Sequence, residues 1–92
     1  MILTSNQNQQ LLNFSNQATV SQSQTFERYC TEKPGRILPS KIDQGFMVLN
    51  YRTKTGYFVQ IKFDQYGEQI FRGFYTDWNE TDNEPCNLLF TR

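Results

Sequence analysis

The sequence predicts an α+β fold, an antiparallel β-meander of about four strands packed on one or two N-terminal helical segments. Three observations point there. Apolar and polar residues alternate in three runs of the second half, glycine-closed tripeptides separate those runs, and the first third is amide-rich with sparse apolar residues at helical spacing.

Residues 4–25, TSNQNQQLLNFSNQATVSQSQT, are dominated by Asn, Gln, Ser and Thr. Leu11, Phe14 and Ala18 fall at helical spacing, Ile2, Leu3, Leu12 and Val20 supply the other apolar contacts, and Ser5 or Asn6 suits a helix start. A short helix around 6–16 is the preferred reading. A flexible polar segment over 1–20 is the other, because amide-rich stretches bury little surface. Residues 21–33, SQSQTFERYCTEK, fit either a weakly alternating strand or a helix capped by Ser23 or Thr25. The helix is favoured, since it places Phe26, Tyr29 and Cys30 on one side and Glu27 near the positive end of the dipole. Pro34-Gly35 ends that element. Residues 34–45, with Pro34, Gly35, Pro39 and Gly45, read as a connection held by Ile37, Leu38 and Ile42.

The strands are expected at about 46–53, 57–63, 69–76 and 86–91, the last with Leu88 and Phe90, or Leu89 alone, facing inward. Lys54-Thr55-Gly56 and Gln65-Tyr66-Gly67 each fit a three-residue hairpin loop ending in a left-handed glycine. Opposed residues share a face, so the first loop pairs Tyr51 with Val59, Leu49 with Ile61 and Met47 with Phe63. A two-residue loop would oppose Leu49 to Gln60, which the apolar pattern rejects. The same rule at the second loop opposes Ile61 to Phe71, Val59 to Gly73 and Tyr57 to Tyr75. The expected core face is therefore Met47, Leu49, Tyr51, Tyr57, Val59, Ile61, Phe63, Phe71 and Tyr75. A gap at Gly73 is left for a bulky side chain from a helix.

Ninety-two residues with 37% hydrophobic and 15% aromatic content suit one small domain, 1–92, whose core rests on a few large side chains. Nine basic residues balance nine acidic ones, so net charge points to neither nucleic acid nor an anionic membrane. No apolar run reaches the ~20 residues of a membrane span. The start, MILTSNQNQQ, has neither a basic n-region nor a long apolar h-region, and the chain reads as soluble and cytoplasmic. Cys30 and Cys86 form no CxxC and read as free thiols.

Histidine is absent, which removes the commonest general base and zinc ligand. There is no glycine-rich phosphate loop or dinucleotide fingerprint, so no cofactor and no catalytic residues are assigned. KTGYFVQIKF (54–63) has the vocabulary of an RNA-binding strand, but neither register places an aromatic at both base-stacking positions. DWNETDNEP (77–85) fails as a calcium loop, with Asp82 where glycine is needed and Leu88 where glutamate is needed. It reads as a solvated turn with Trp78 folded back on the core, or as a docking loop.

The candidate surface is the sheet face opposite the core. There the expected register lines up Arg52, Phe58 and Phe74, then Asn50, Gln60 and Arg72, then Val48, Lys62 and Ile70. The N-terminal segment half covers this face, or it binds a partner, since aromatic and Arg anchors are the usual hot-spot residues. The favoured function is a small accessory protein that binds another protein as adaptor, regulator or inhibitor, through Arg52, Phe58, Arg72, Phe74 and Trp78. The alternative is a nucleic-acid-binding module using Arg52, Phe58, Lys62, Arg72 and Phe74. A homodimer pairing that face or an edge strand is the third reading.

Overall fold

The computed structural model describes residues 3–14 and 16–92. Ile2, expected as an apolar contact, and Ser15, expected near the end of the first helix, lie outside them. Two helices, α1 (Ser5–Phe14) and α2 (Val20–Glu32), precede five strands: β1 (Ile37–Asp43), β2 (Phe46–Arg52), β3 (Phe58–Phe63), β4 (Gln69–Asn79) and β5 (Glu84–Thr91). The strands form one antiparallel sheet in the order β1-β2-β3-β4-β5, so the architecture is α+β as expected. Among the described residues no helix is long and apolar enough to cross a membrane.

Each helix begins with the same device. Thr4 Oγ1 accepts from Gln7 N while Gln7 Oε1 accepts from Thr4 N, and Thr19 and Gln22 repeat the exchange. These are capping boxes written T-x-x-Q, and they set the starts upstream of the expected caps, Ser5 or Asn6 for α1 and Ser23 or Thr25 for α2. From its start, α2 turns Gln22, Thr25, Phe26, Tyr29 and Cys30 inward at helical spacing. Phe14 from α1 meets Phe26 edge-on at 5.1 Å between ring centres. Around them the core gathers Met47, Leu49, Tyr51, Val59, Ile61 and Phe63 from β2 and β3.

Gln22 is fully buried and satisfied at every polar atom of its side chain. Its Nε2 donates to the carbonyls of Gly45 (2.9 Å) and Asp64 (3.0 Å), in the β1–β2 and β3–β4 turns. Thr19 Oγ1 donates to Gln65 O at 2.7 Å, and Gln65 Nε2 to Gly45 O at 3.1 Å. The helix start is thereby stitched to both turns at one end of the sheet.

The stretch expected as a connection, 34–45, contains β1. Pro39 and Gly45 obscure it, because each occupies a place an edge strand tolerates. Gln44 and Gly45 both have positive φ (52° and 85°), making a two-residue hairpin turn between Asp43 and Phe46. Pro39 sits at a bulge on the sheet edge, where its missing N–H breaks no ladder bond. Side chains mend the gap: Asn50 N donates to Ser40 Oγ (3.0 Å), Asn50 Nδ2 to Pro39 O (2.9 Å), and Ser40 N to Gln10 Oε1 on α1 (3.0 Å).

The β2–β3 register is the one expected, with Met47 opposite Phe63, Leu49 opposite Ile61 and Tyr51 opposite Val59. Both three-residue loops form, closed by Thr53 N to Tyr57 O and Asp64 N to Glu68 O, with Gly56 and Gly67 at positive φ. The β3–β4 register needs correction. It starts as expected with Phe63 opposite Gln69, but Ile70 bulges out, and from there Lys62 opposes Phe71, Ile61 opposes Arg72 and Val59 opposes Phe74. A one-residue bulge reverses the faces of all that follows. Arg72 and Phe74 therefore turn to the helix side, and Phe71, Gly73 and Tyr75 leave the expected core face. No helix fills the gap at Gly73; the rings of Phe71 and Tyr75 do, each with an atom 2.9 Å from where a Cβ would sit. Tyr57, also expected in the core, is 46% exposed.

Replacing Gln22 by Leu removes both donors from a dry site and half of the capping box, and is expected to cost about 3 kcal/mol. Urea unfolding with an unchanged m-value checks this, beside Gln9→Leu on the exposed side of α1, expected within about 0.5 kcal/mol of wild type. Burial raises the Cys30 thiol to about 11, with Glu27 adding to the rise, so it stays protonated at neutral and mildly alkaline pH. Both cysteines are free. A disulfide-exchange reagent at pH 8 is expected to titrate Cys86 alone in the folded protein and both thiols after denaturation.

Candidate functional site

The sheet face away from the helices is covered by the chain itself, from the opposite terminus to the one expected. β4 runs on past the start of β3, and its hairpin with β5 curls across this face. Two contacts and a cavity define the arm. Trp78 stacks on Phe58 at 6.1 Å between centres and 27° between planes. Lys41 Nζ on edge strand β1 meets Glu84 Oε1 on edge strand β5 at 3.5 Å. Beneath the arm a polar cavity of ≈ 270 Å³ is bounded by Val48, Gln60, Lys62 and Tyr75 of the sheet and by Pro85 of the arm. Burial there pushes the Tyr75 hydroxyl pKa up, and the Glu84 carboxylate adds to it. Val48 and Asn50 are buried although no helix lies over them.

The bend has local causes. Leu89 is an extra residue in β5 opposite the Phe74–Tyr75 step. Asn87 holds φ 63° and donates from its side chain to the Asp77 carboxylate. The acidic tip is a self-bonded turn, with Asn79 Oδ1 accepting from Thr81 N (2.9 Å) and Asp82 N (3.2 Å).

The five residues expected to share a binding face separate into two groups. Arg52, Phe58 and Trp78 come together, the guanidinium 5.7 Å from the Phe58 centre and Trp78 on that same ring. Arg72 and Phe74 lie on the helix side. Arg72 Nη2 donates to Tyr29 Oη at 3.2 Å, and its buried Nε has no hydrogen-bond partner among the described residues. Phe74 stacks on Phe90 at 4.6 Å and 15°, and the Arg92 guanidinium covers both rings. The residue set of the nucleic-acid alternative divides the same way, with Lys62 on the same face of β3 as Phe58 and its Nζ over the Phe71 ring.

Sequence reasoning missed β5 as a surface. Leu88 and Phe90, or Leu89 alone, were expected to face inward. Instead Leu88, Leu89 and Phe90 are 53%, 52% and 47% exposed, an apolar strip along the outermost strand. The run Leu-Leu-Phe was visible in the sequence. A strand with one dry face buries every second residue, and three consecutive apolar residues already break that rule.

Trp78 is the single tryptophan, so its fluorescence reports the arm alone. Phe58→Ala is expected to shift the Trp78 emission to the red with the far-ultraviolet dichroism unchanged; an unshifted spectrum would show that the stack does not hold the arm.

Comparison with protein-family models, curated proteins and solved structures finds no match to this chain, and its function is therefore read from its own surface.

Proposed function

We propose that this is a small cytoplasmic accessory protein that acts by binding another protein, as adaptor, regulator or inhibitor, without catalysis of its own. The observation that supports it most is the apolar run on β5, where the consecutive residues Leu88, Leu89 and Phe90 are each about half exposed, Leu88 on the side of Tyr75 and Phe90 on that of Phe74. Three large apolar side chains left half exposed along one edge strand are costly to leave in water, and clustered apolar exposure marks interaction sites more often than singly scattered residues do. Phe90, anchored on Phe74 and flanked by Arg92, supplies the aromatic and guanidinium chemistry of interface hot spots. Of the five residues expected from the sequence, Phe74 belongs to this surface, and Arg72 lies on its side of the sheet. Arg52, Phe58 and Trp78 hold the arm.

Association with a second copy is the competing use of the same strip. The nucleic-acid reading has less support, because its aromatic and basic residues are divided between two faces.

Affinity capture from the native cell, compared between wild type and Leu89→Asp, tests the proposal. Recovery of a defined partner is expected to fall by about tenfold or more in the variant, the ratio that ~1.4 kcal/mol represents. It is expected to persist in Tyr66→Ala, which alters an 81%-exposed side chain on a distant turn. Equal recovery from all three proteins would refute the strip as the contact. Light scattering on the pure protein decides the second copy: a dimer that dissociates in Leu89→Asp would replace the foreign partner.

A further inference from the structure

We infer that the sheet end opposite Gln22 is a binding site for a compact polyphosphate, a chain of linked phosphoryl groups carried free or on a small molecule. This site is distinct from the β5 strip and does not rest on it. Four of the nine basic residues, Lys33, Arg36, Arg52 and Lys54, surround the place where the α2–β1 connection meets the β2–β3 loop, Lys33 from the helix side of the sheet and Arg52 from the arm side. They line two adjoining clefts of ≈ 650 and ≈ 560 Å³ that share Pro34, Arg36 and Lys54. The loops are tied together by Arg52 N donating to Arg36 O at 3.0 Å, so the cations are presented on backbone held in register.

Charge distribution makes the cluster informative. The chain has nine carboxylate side chains, one for each cation, yet Glu32 is the one acidic residue lining either cleft. Glu32 already faces Arg28 at 4.0 Å. The ion pairs among the described residues are Arg28–Glu32 and Lys41–Glu84, so none of the four cations is neutralised by a carboxylate. Aromatic faces hold two of them instead, with Lys33 Nζ 5.2 Å from the Tyr51 centre and Arg52 5.7 Å from that of Phe58. Those contacts position a cation without cancelling its charge.

Like charges gathered beside a low-dielectric wall repel one another and concentrate anions. Two guanidiniums offer paired N–H donors that match phosphoryl oxygens, and two ammoniums add point charges. A single phosphate would engage only part of the set, whereas a linked series spans both clefts. Gly35 lies at the cleft wall with φ 75°, and nothing stands within 4 Å of where its Cβ would be, so the approach is open.

The test is calorimetric titration of the full chain with inorganic tripolyphosphate at low ionic strength, repeated with ATP. Binding of both is expected, with an affinity that falls as salt rises. The double variant Arg36→Ser/Lys54→Ser is expected to bind about tenfold or more weakly, while Lys41→Ser/Lys62→Ser binds as wild type does. Amide shifts on titration should localise to Gly35, Arg36, Lys54 and Gly56, a readout on the wild-type protein that holds even if the double variant fails to fold. Absence of heat and shifts would overturn the inference, as would equal weakening in both double variants. Tighter binding of a charge-matched single-stranded oligonucleotide than of tripolyphosphate would replace the compact ligand with an extended strand.

Discussion

The fold depends on one uncharged side chain in a dry place. Gln22 carries a carboxamide with two donors and an acceptor, and leaving any of them unpaired in the interior costs as much as losing a core methyl or more. Each finds its partner only if three separate things happen: Thr19 caps α2, the β1–β2 turn presents Gly45 O, and the β3–β4 turn presents Asp64 O. Apolar contacts between helix and sheet tolerate sliding, since one greasy surface fits another at many offsets. The carboxamide does not. It converts packing that is only approximately directed into a single alignment of α2 along the sheet, and the same stitch fixes the height of Phe26, Tyr29 and Cys30 over β2 and β3.

The amide-rich N-terminal segment takes its meaning from this. Glutamines and threonines in residues 4–25 suggest a solvated tail by composition, yet Gln7, Gln10, Gln22 and Thr25 are buried and bonded. Their polar groups do structural service: two cap helices, and Gln10 bonds the backbone where Pro39 disturbs the first strand. The segment contributes one of the largest core side chains, Phe14, which meets Phe26 just beyond its end, and otherwise specifies position through hydrogen bonds.

Particular residues show how far sequence reading reaches. The β2–β3 hairpin was legible because alternation on both sides of Lys54-Thr55-Gly56 agrees with only one loop length. The helix starts were legible in principle, as T-x-x-Q twice. The bulge at Ile70 was not, because QIFRGFYT carries aromatic residues on both of its alternating sets, and no glycine or proline marks the slip. That single slip moved Arg72 and Phe74 across the sheet and divided the expected site. The curl of the β4–β5 arm was likewise hidden. It arises from Asn87 in a left-handed conformation and from contacts between residues far apart in the chain, Phe58 with Trp78 and Lys41 with Glu84. What local pattern encodes was readable; what long-range contact decides was not.

The two outer strands share a trait whose consequence lies outside the folded monomer. β1 has Pro39 and its bulge, and β5 has Pro85, the left-handed Asn87 and the extra residue Leu89. An open sheet normally offers its rims as templates on which further chains stack into fibres, and apolar rims are the most dangerous. Here neither rim presents a straight, evenly spaced row of donors and acceptors. The molecule can therefore carry Leu88, Leu89 and Phe90 in water while withholding the regular backbone that cross-β aggregation needs. Stickiness is separated from the capacity to polymerise, which lets a small domain keep an adhesive edge at cellular concentrations.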